Sequence, residues 1–168
     1  ENGHLYLVWG WVVLICSVVE FILIRFFDYP HHYLVWMLTW LAVIYQFVYF
    51  YKKRKKEKVK TYTGEIVSYV WFVFVILLLL TIFISSSQEV KNIGLISPFI
   101  LALYGMPTFL SGKILQFPPL VFGGIGCWIL ALISLYVPPE FQILFFGLSV
   151  IIAWIIPGYL LRKRYQTE

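Results

Sequence analysis

One acidic residue lies inside the first long apolar stretch of the sequence, where its charge needs a chemical explanation. Glu20 has apolar neighbours, and the nearest basic residue, Arg25, would lie on another side of a helix. A carboxylate in a membrane-spanning helix is costly and usually faces protein or a water-filled cavity. Glu20 is therefore either a proton or cation site in a pocket open to the outer side, or a protonated or hydrogen-bonded glutamate that joins helices 1 and 2.

Other polar residues are predicted at the depth of Glu20. Counting inward at 1.5 Å per residue places Glu20 about 10 Å below the outer end of its helix, and residues of three other helices at roughly similar depths. The indole N–H groups of Trp36 and Trp40 could also donate hydrogen bonds there. The predicted ligand or ion pocket contains Glu20, Thr39, Thr81 and Ser149, with Gln46 and Tyr104 extending it towards the membrane centre.

A short polar segment, Asp28-Tyr29-Pro30-His31-His32-Tyr33, contains three potential metal ligands. Carboxylate and imidazole groups both bind transition metals. Adjacent histidines often point in different directions, however, and Asp28, His31 and His32 lack the fixed spacing of a metal site. We interpret the segment as a solvated turn on the outer side, and we predict no metal, no cofactor and no catalytic residue.

Six apolar stretches position these residues. A helix of roughly 20 apolar residues crosses the hydrocarbon core of a bilayer. The composition is 61% hydrophobic and 12% charged, with a mean hydropathy of +0.86, which excludes an ordinary water-soluble domain. The stretches are continuously apolar rather than alternating, which favours helices over barrel strands. The sequence predicts an all-α polytopic membrane protein, a single domain over 1–168 with six transmembrane helices in one bundle. The six predicted spans are at about 5–27, 34–51, 66–86, 93–111, 120–137 and 141–161.

The basic residues predict the orientation of these helices, because Lys and Arg in short loops are retained on the cytoplasmic side. If six helices alternate, eleven basic residues fall on one side, namely seven between Lys52 and Lys60, then Lys113, Arg162, Lys163 and Arg164. Only Arg25 and Lys91 fall on the other side, so both termini are predicted to be cytoplasmic. We interpret the Lys52 to Lys60 loop as a topology signal whose partners are anionic lipid headgroups, not nucleic acid.

Small residues predict which helices pack most closely, because small side chains let helix backbones approach each other in lipid. Gly123, Cys127 and Ala131 recur every four residues on helix 5, which is predicted to lie against a neighbour along this face. Helix 4 is predicted at the bundle centre, and prolines are predicted to kink helices 4 and 6. Cys127 and Cys16 are predicted to be free thiols that pack as small residues.

Two segments resemble a group of small uncharacterised bacterial inner-membrane proteins. They are Asn2-Gly3-His4-Leu5-Tyr6-Leu7-Val8-Trp9-Gly10-Trp11 and Tyr104-Gly105-Met106-Pro107-Thr108-Phe109-Leu110-Ser111-Gly112. The resemblance implies a multi-pass protein of the bacterial plasma membrane, with a short cytoplasmic segment upstream of Glu1. It implies no activity, substrate or site residue.

Two functional hypotheses follow. The first is a non-enzymatic sensor, accessory subunit or small-ligand or lipid-binding bundle, which could act with a protein partner or as a homo-oligomer. The scarcity of ionisable residues inside the spans favours it. The alternative is a small transporter or channel with a polar site around Glu20. An enzyme is the least favoured class, because Glu20, His31 and His32 form no recognisable catalytic set.

Overall fold

The structure is a computed structural model, and it describes residues 3–27, 30–56, 62–87 and 93–167. The predicted all-helical fold is confirmed: 94% of the described residues are helical, and no strand occurs among them. The helices are α1 (Gly3–Phe27), α2 (Leu38–Lys56), α3 (Tyr62–Ser87), α4 (Ile96–Ile114), α5 (Pro118–Ser134), α6 (Pro139–Val150) and α7 (Ile156–Thr167). Short 3₁₀ segments, His32–Met37 and Ile93–Leu95, precede α2 and α4, and a π-helical segment, Ile151–Ile155, joins α6 to α7.

Four helical stretches are long and apolar enough to cross a membrane: Gly3–Phe27, His32–Lys52, Tyr62–Ser85 and Pro139–Arg164. They support a membrane protein, although fewer spans meet these criteria than the six predicted. The apolar helix Pro118–Ser134 is shorter than the others. It ends at Ser134, three residues before the predicted end of helix 5, because a turn over residues 135–137 leads into Pro138 and Pro139.

The centre of the bundle contains α1, α4, α5 and the α6–α7 stretch, and the predicted close packing of helix 5 is confirmed. Gly123, Cys127 and Ala131 are all buried. A Cβ atom on Gly123 would lie 2.7 Å from Cα of Ala153, so the backbones of α5 and the π segment are in close contact. On another face, Gly124 approaches the carbonyl oxygen of Gly105 in α4. Both cysteines are free and buried, as predicted.

The helices α2 and α3 lie at the periphery of this core. The helix α2 packs on α1, and α3 packs on α4. Most described side chains of both helices are exposed on the protein surface. Among the described residues, Ala42 is the one buried side chain on α2, and Val67 and Phe74 are the two on α3. Their apolar exposed faces are those that a lipid bilayer would cover.

Some details differ from the prediction. The helix α2 continues to Lys56, because Lys and Arg are good helix formers, so half of the predicted basic loop is helical and residues 57–61 lie outside the described residues. The helix α4 is continuous through Pro107, and its predicted kink stays a prediction. In the sixth helix, the chain instead changes to π-helical geometry shortly before Pro157, where the missing backbone N–H interrupts the regular pattern.

Of the tryptophans Trp40, Trp128 and Trp154, only Trp154 lies in the core. Trp154 is 3% exposed, whereas Trp128 is 38% and Trp40 63% exposed. Trp128 and Trp40 lie on outward faces of α5 and α2. A large apolar side chain is as stable against lipid as in the core, and the sequence does not distinguish the two positions.

Candidate functional site

The carboxylate of Glu20 is the centre of the candidate site. Glu20 lies on α1 and is only 6% exposed. Its Oε1 lies 2.9 Å from Nδ1 of His32, and its Oε2 accepts a hydrogen bond of 2.6 Å from the indole Nε1 of Trp36. Both carboxylate oxygens therefore have a partner on the neighbouring segment, and these three residues form what we call the Glu20 cluster.

A 3₁₀ segment places the two partners of Glu20. Pro30 and His31 form the turn before it, and the backbone N–H of Leu34 donates to the carbonyl oxygen of His31 at 3.0 Å. His32 and Trp36, four residues apart on this segment, both reach the same carboxylate. A weak hydrogen bond of 3.5 Å from Cys16 Sγ to the carbonyl oxygen of Val35 adds another contact between α1 and this segment.

The contact between Glu20 and His32 can exist in more than one protonation state. An indole N–H can only donate, so Oε2 of Glu20 is an acceptor and a proton on the carboxyl belongs on Oε1. Oε1 then faces Nδ1 of His32, and the proton of this hydrogen bond can reside on either atom. The histidine side chain is 36% exposed. The Glu20 cluster therefore combines a buried carboxylate with an imidazole accessible from the surface, which is an arrangement able to exchange a proton.

Aromatic side chains close the site on the side of the bundle centre. The ring of Trp36 contacts Phe146 edge-on, with centroids 6.1 Å apart, and Phe146 contacts Tyr104 at 6.1 Å in the same way. Phe146 and Tyr104 are each 7% exposed. Tyr104 thus lies in the aromatic core beyond the Glu20 cluster, separated from it by Phe146.

The other predicted hydroxyl groups bond within their own helical segments. Thr39 Oγ1 donates to the carbonyl oxygen of Trp36, Thr81 Oγ1 to that of Leu77 at 2.8 Å, and Ser149 Oγ to that of Phe146 at 2.8 Å. Hydroxyls in membrane helices commonly bond to the carbonyl three or four residues before them. No described hydrogen bond joins Thr39, Thr81 or Ser149 to Glu20, and a pocket shared by these residues stays a prediction.

Gln46 belongs to a different contact between α1 and α2. Its Oε1 accepts a hydrogen bond of 2.7 Å from Trp9 Nε1, and nearby His4 Nε2 lies 2.7 Å from the hydroxyl of Tyr45. Gln46 is ten residues beyond Trp36, or about 15 Å along a helix, so it is far from Glu20. Three groups of polar contacts, near Tyr45, at Gln46 and at the Glu20 cluster, therefore connect α2 and its 3₁₀ segment to α1.

The sequence interpretation missed His32 as a partner of Glu20. It assigned His32 to a solvated turn and began the second helix at Leu34, whereas the helical segment begins at His32. The signal was present: His32 and Trp36 have a spacing that can place both at one acidic residue. Asp28 lies outside the described residues. Within the described part of the chain, no group of three or more His, Cys, Asp or Glu residues is arranged to hold a metal ion.

Comparison of the chain with protein-family models, with curated proteins and with solved structures gives no match. Functional inference therefore depends on the geometry of the Glu20 cluster and on the helices that surround it.

Proposed function

We propose that this protein is a non-enzymatic sensor of the bacterial inner membrane, with six spans, both termini cytoplasmic, and the Glu20 cluster as its sensing element. The apolar helices support a membrane location. The excess of Lys and Arg on one side of a six-helix topology supports the orientation. In this orientation His32 faces the outer side of the membrane, and the segment around Lys52 faces the cytoplasm.

The hydrogen bonding of the Glu20 carboxylate is the observation that carries the proposal. Both oxygens are engaged, by His32 and Trp36, so the carboxylate offers no free oxygen pair to a metal cation. A change in protonation would alter the contact that attaches the 3₁₀ segment to α1. Because few other described contacts hold α2 to the bundle, this change is able to shift α2 and so report the pH of the outer side.

The aromatic contacts between Trp36, Phe146 and Tyr104 favour a sensor over the alternative transporter or channel. A transport path needs polar groups or water on both sides of a binding site. Here Phe146 and Tyr104 follow directly behind the Glu20 cluster, and the hydroxyl of Ser149 is already bonded to its own helix. The partners we propose are anionic lipid headgroups at the basic end of α2, together with a protein or a second copy that receives the signal.

Tryptophan fluorescence of the protein in liposomes tests this function. We expect the emission to change as the external pH is lowered from about 8 to about 5, the range in which histidines commonly titrate. Glu20→Gln and His32→Gln should remove the change, because each breaks the exchange of a proton between Oε1 and Nδ1. His31→Gln is the matched control, since it replaces the adjacent histidine and should leave the response intact.

Two results would contradict the proposal. One is a pH response that is the same in the wild type and in Glu20→Gln. The other is a sustained proton flux into the liposomes, followed with a trapped pH-sensitive dye, that Glu20→Gln abolishes. The second result would establish the transporter alternative instead.

A further inference from the structure

The contact between α1 and α2 contains a second histidine, near the end of α1 that is opposite to Glu20. His4 Nε2 lies 2.7 Å from the hydroxyl oxygen of Tyr45 on α2. His4 and Glu20 are sixteen residues apart on α1, which is about 24 Å along a helix. This length approaches the roughly 30 Å thickness of the hydrocarbon core of a bilayer. The contacts of His4 and of His32 therefore lie near opposite surfaces of the membrane.

Two tyrosine rings of α2 lie beside the imidazole of His4. The ring centroid of His4 is 6.0 Å from that of Tyr45 and 5.7 Å from that of Tyr49. The two tyrosine rings stack on each other, with centroids 6.4 Å apart. These three residues form what we call the His4 cluster. The next polar contact between the two helices is the hydrogen bond of 2.7 Å from Trp9 Nε1 to Gln46 Oε1.

A proton on His4 changes the strength of this contact. In the neutral imidazole, Nε2 can accept a hydrogen bond from the Tyr45 hydroxyl, whereas in the imidazolium it can only donate one to that oxygen. Hydrogen bonds from a charged donor are stronger than those between neutral groups. A cation within about 6 Å of an aromatic centroid is also attracted by the ring, and Tyr49 lies within this distance. Protonation of His4 should therefore strengthen the attachment of this end of α2 to α1.

The charged groups on α2 and α7 at this end of the bundle are basic. The backbone of α7 passes the beginning of α1, because a Cβ atom on Gly3 would lie 3.2 Å from the backbone nitrogen of Arg162. Lys163 and Arg164 follow on α7, and Lys52 begins the basic part of α2. The side chains of all four basic residues are exposed. Exposed charges are screened by water and salt, so they repel the imidazolium less strongly than the direct contacts of the His4 cluster attract it.

The acidic residue described at this end of the bundle is Glu65, at the beginning of α3. Its Oε1 accepts a hydrogen bond of 3.1 Å from the hydroxyl of Tyr69. The helix α3 contacts α1 through the rings of Trp71 and Tyr6. Tyr6 is two residues from His4, or about 200° around the helix, so the two side chains lie on opposite sides of α1. The His4 cluster is therefore separated from Glu65 by the α1 helix.

We propose that the His4 cluster is a second proton-binding site, so that α2 responds to the pH on both sides of the membrane. This inference rests on the proposed function, because it uses the same helix as the element that moves. In the proposed orientation the Glu20 cluster responds to the outer pH and the His4 cluster to the cytoplasmic pH. Acidification of the cytoplasm then holds the inner end of α2 more tightly against α1, and the position of α2 depends on both pH values.

Tryptophan fluorescence in liposomes whose lumen and exterior are buffered independently tests the inference, with the protein oriented so that its N-terminus lies in the lumen. At constant external pH, lowering the lumenal pH from about 8 to about 5 should change the emission. Trp9 is the expected reporter, because its indole bonds to Gln46 beside the His4 cluster.

Four substitutions separate the two sites. His4→Gln should abolish the response to lumenal pH and leave the response to external pH, and His32→Gln should do the reverse. Tyr45→Phe keeps the ring but removes the hydroxyl that pairs with His4, so it should reduce the lumenal response. His31→Gln is the matched control, and it should leave both responses intact.

The outcomes distinguish this inference from the proposed function. A lumenal response that is absent in the wild type, or equal in the wild type and His4→Gln, would overturn the inference while the external response stands. A His4→Gln variant that loses both responses would also overturn it, because the two sites would then not be separate. A wild type that responds to lumenal pH through His4 but not to external pH would support the second site and contradict the proposed function.

Discussion

The helices α5 and α2 are both strongly apolar in their membrane-spanning parts, yet they are attached to the bundle by different means. Gly123 and Gly124 bring the α5 backbone against the π segment and against α4, so close packing holds this helix. The helix α2 buries little surface, and the Glu20 cluster, Gln46 and Tyr45 link it to α1 through hydrogen bonds. In lipid, where hydrophobic burial contributes little, these are the two available ways to join helices.

The comparison suggests which helix can move. Close packing is lost only when backbones separate, whereas a hydrogen bond that includes a histidine or a carboxyl changes with protonation. The proposed function therefore assigns a rigid centre to the region around α5 and a pH-dependent attachment to the outer helix α2. The following substitutions test each side of this comparison.

The largest effect is expected for Gly123→Ala. The added Cβ would lie 2.7 Å from Cα of Ala153, and two backbones have to move apart to accept it. We expect a loss of about 1–3 kcal/mol in the free energy of unfolding, measured by denaturation in detergent. In the control Gly126→Ala the new atom meets only the Ile152 side chain at 3.2 Å, so the loss should be clearly smaller. Equal losses would show that the backbone contact is unimportant.

A somewhat smaller effect is expected for Trp36→Phe. Phenylalanine keeps a ring against Phe146 but removes the N–H that donates to Glu20 Oε2. A buried carboxylate oxygen without its partner costs about 1–2 kcal/mol. Trp40→Phe is the same substitution one turn further along, on an exposed face, and should have little effect on the melting temperature. If the two variants are equally stable, the indole N–H does not hold α2.

The smallest effect is expected for Tyr45→Phe. It removes the hydroxyl that pairs with His4 at the exposed end of α1, where lost hydrogen bonds are replaced by water. The expected loss is about 0.5 kcal/mol, measured against Tyr136→Phe, which changes a fully exposed tyrosine. A loss as large as that of Trp36→Phe would mean that the attachment of α2 is evenly distributed along its length.

The long apolar stretches and the small-residue spacing were sufficient to predict the all-helical fold and the packed face of α5. These features depend on residues close in sequence or on one helix face. The attachment of α2 was harder to predict, because it depends on where a helical segment begins. Starting the second helix at Leu34 rather than His32 left the histidine in a turn and removed it from the candidate site.

Infrared difference spectroscopy of the Glu20 carboxyl group tests the central claim most directly, since it observes the proton itself. On acidification of the wild type, we expect a carboxylic C=O band that is absent in Glu20→Gln and shifted in Trp36→Phe, where the hydrogen bond to Oε2 is lost. His32→Gln should also alter the band, because Nδ1 of His32 no longer shares a hydrogen bond with Oε1 of Glu20. A carboxyl band that is identical in the wild type and Glu20→Gln, or one that Trp36→Phe and His32→Gln leave unchanged, would contradict the account.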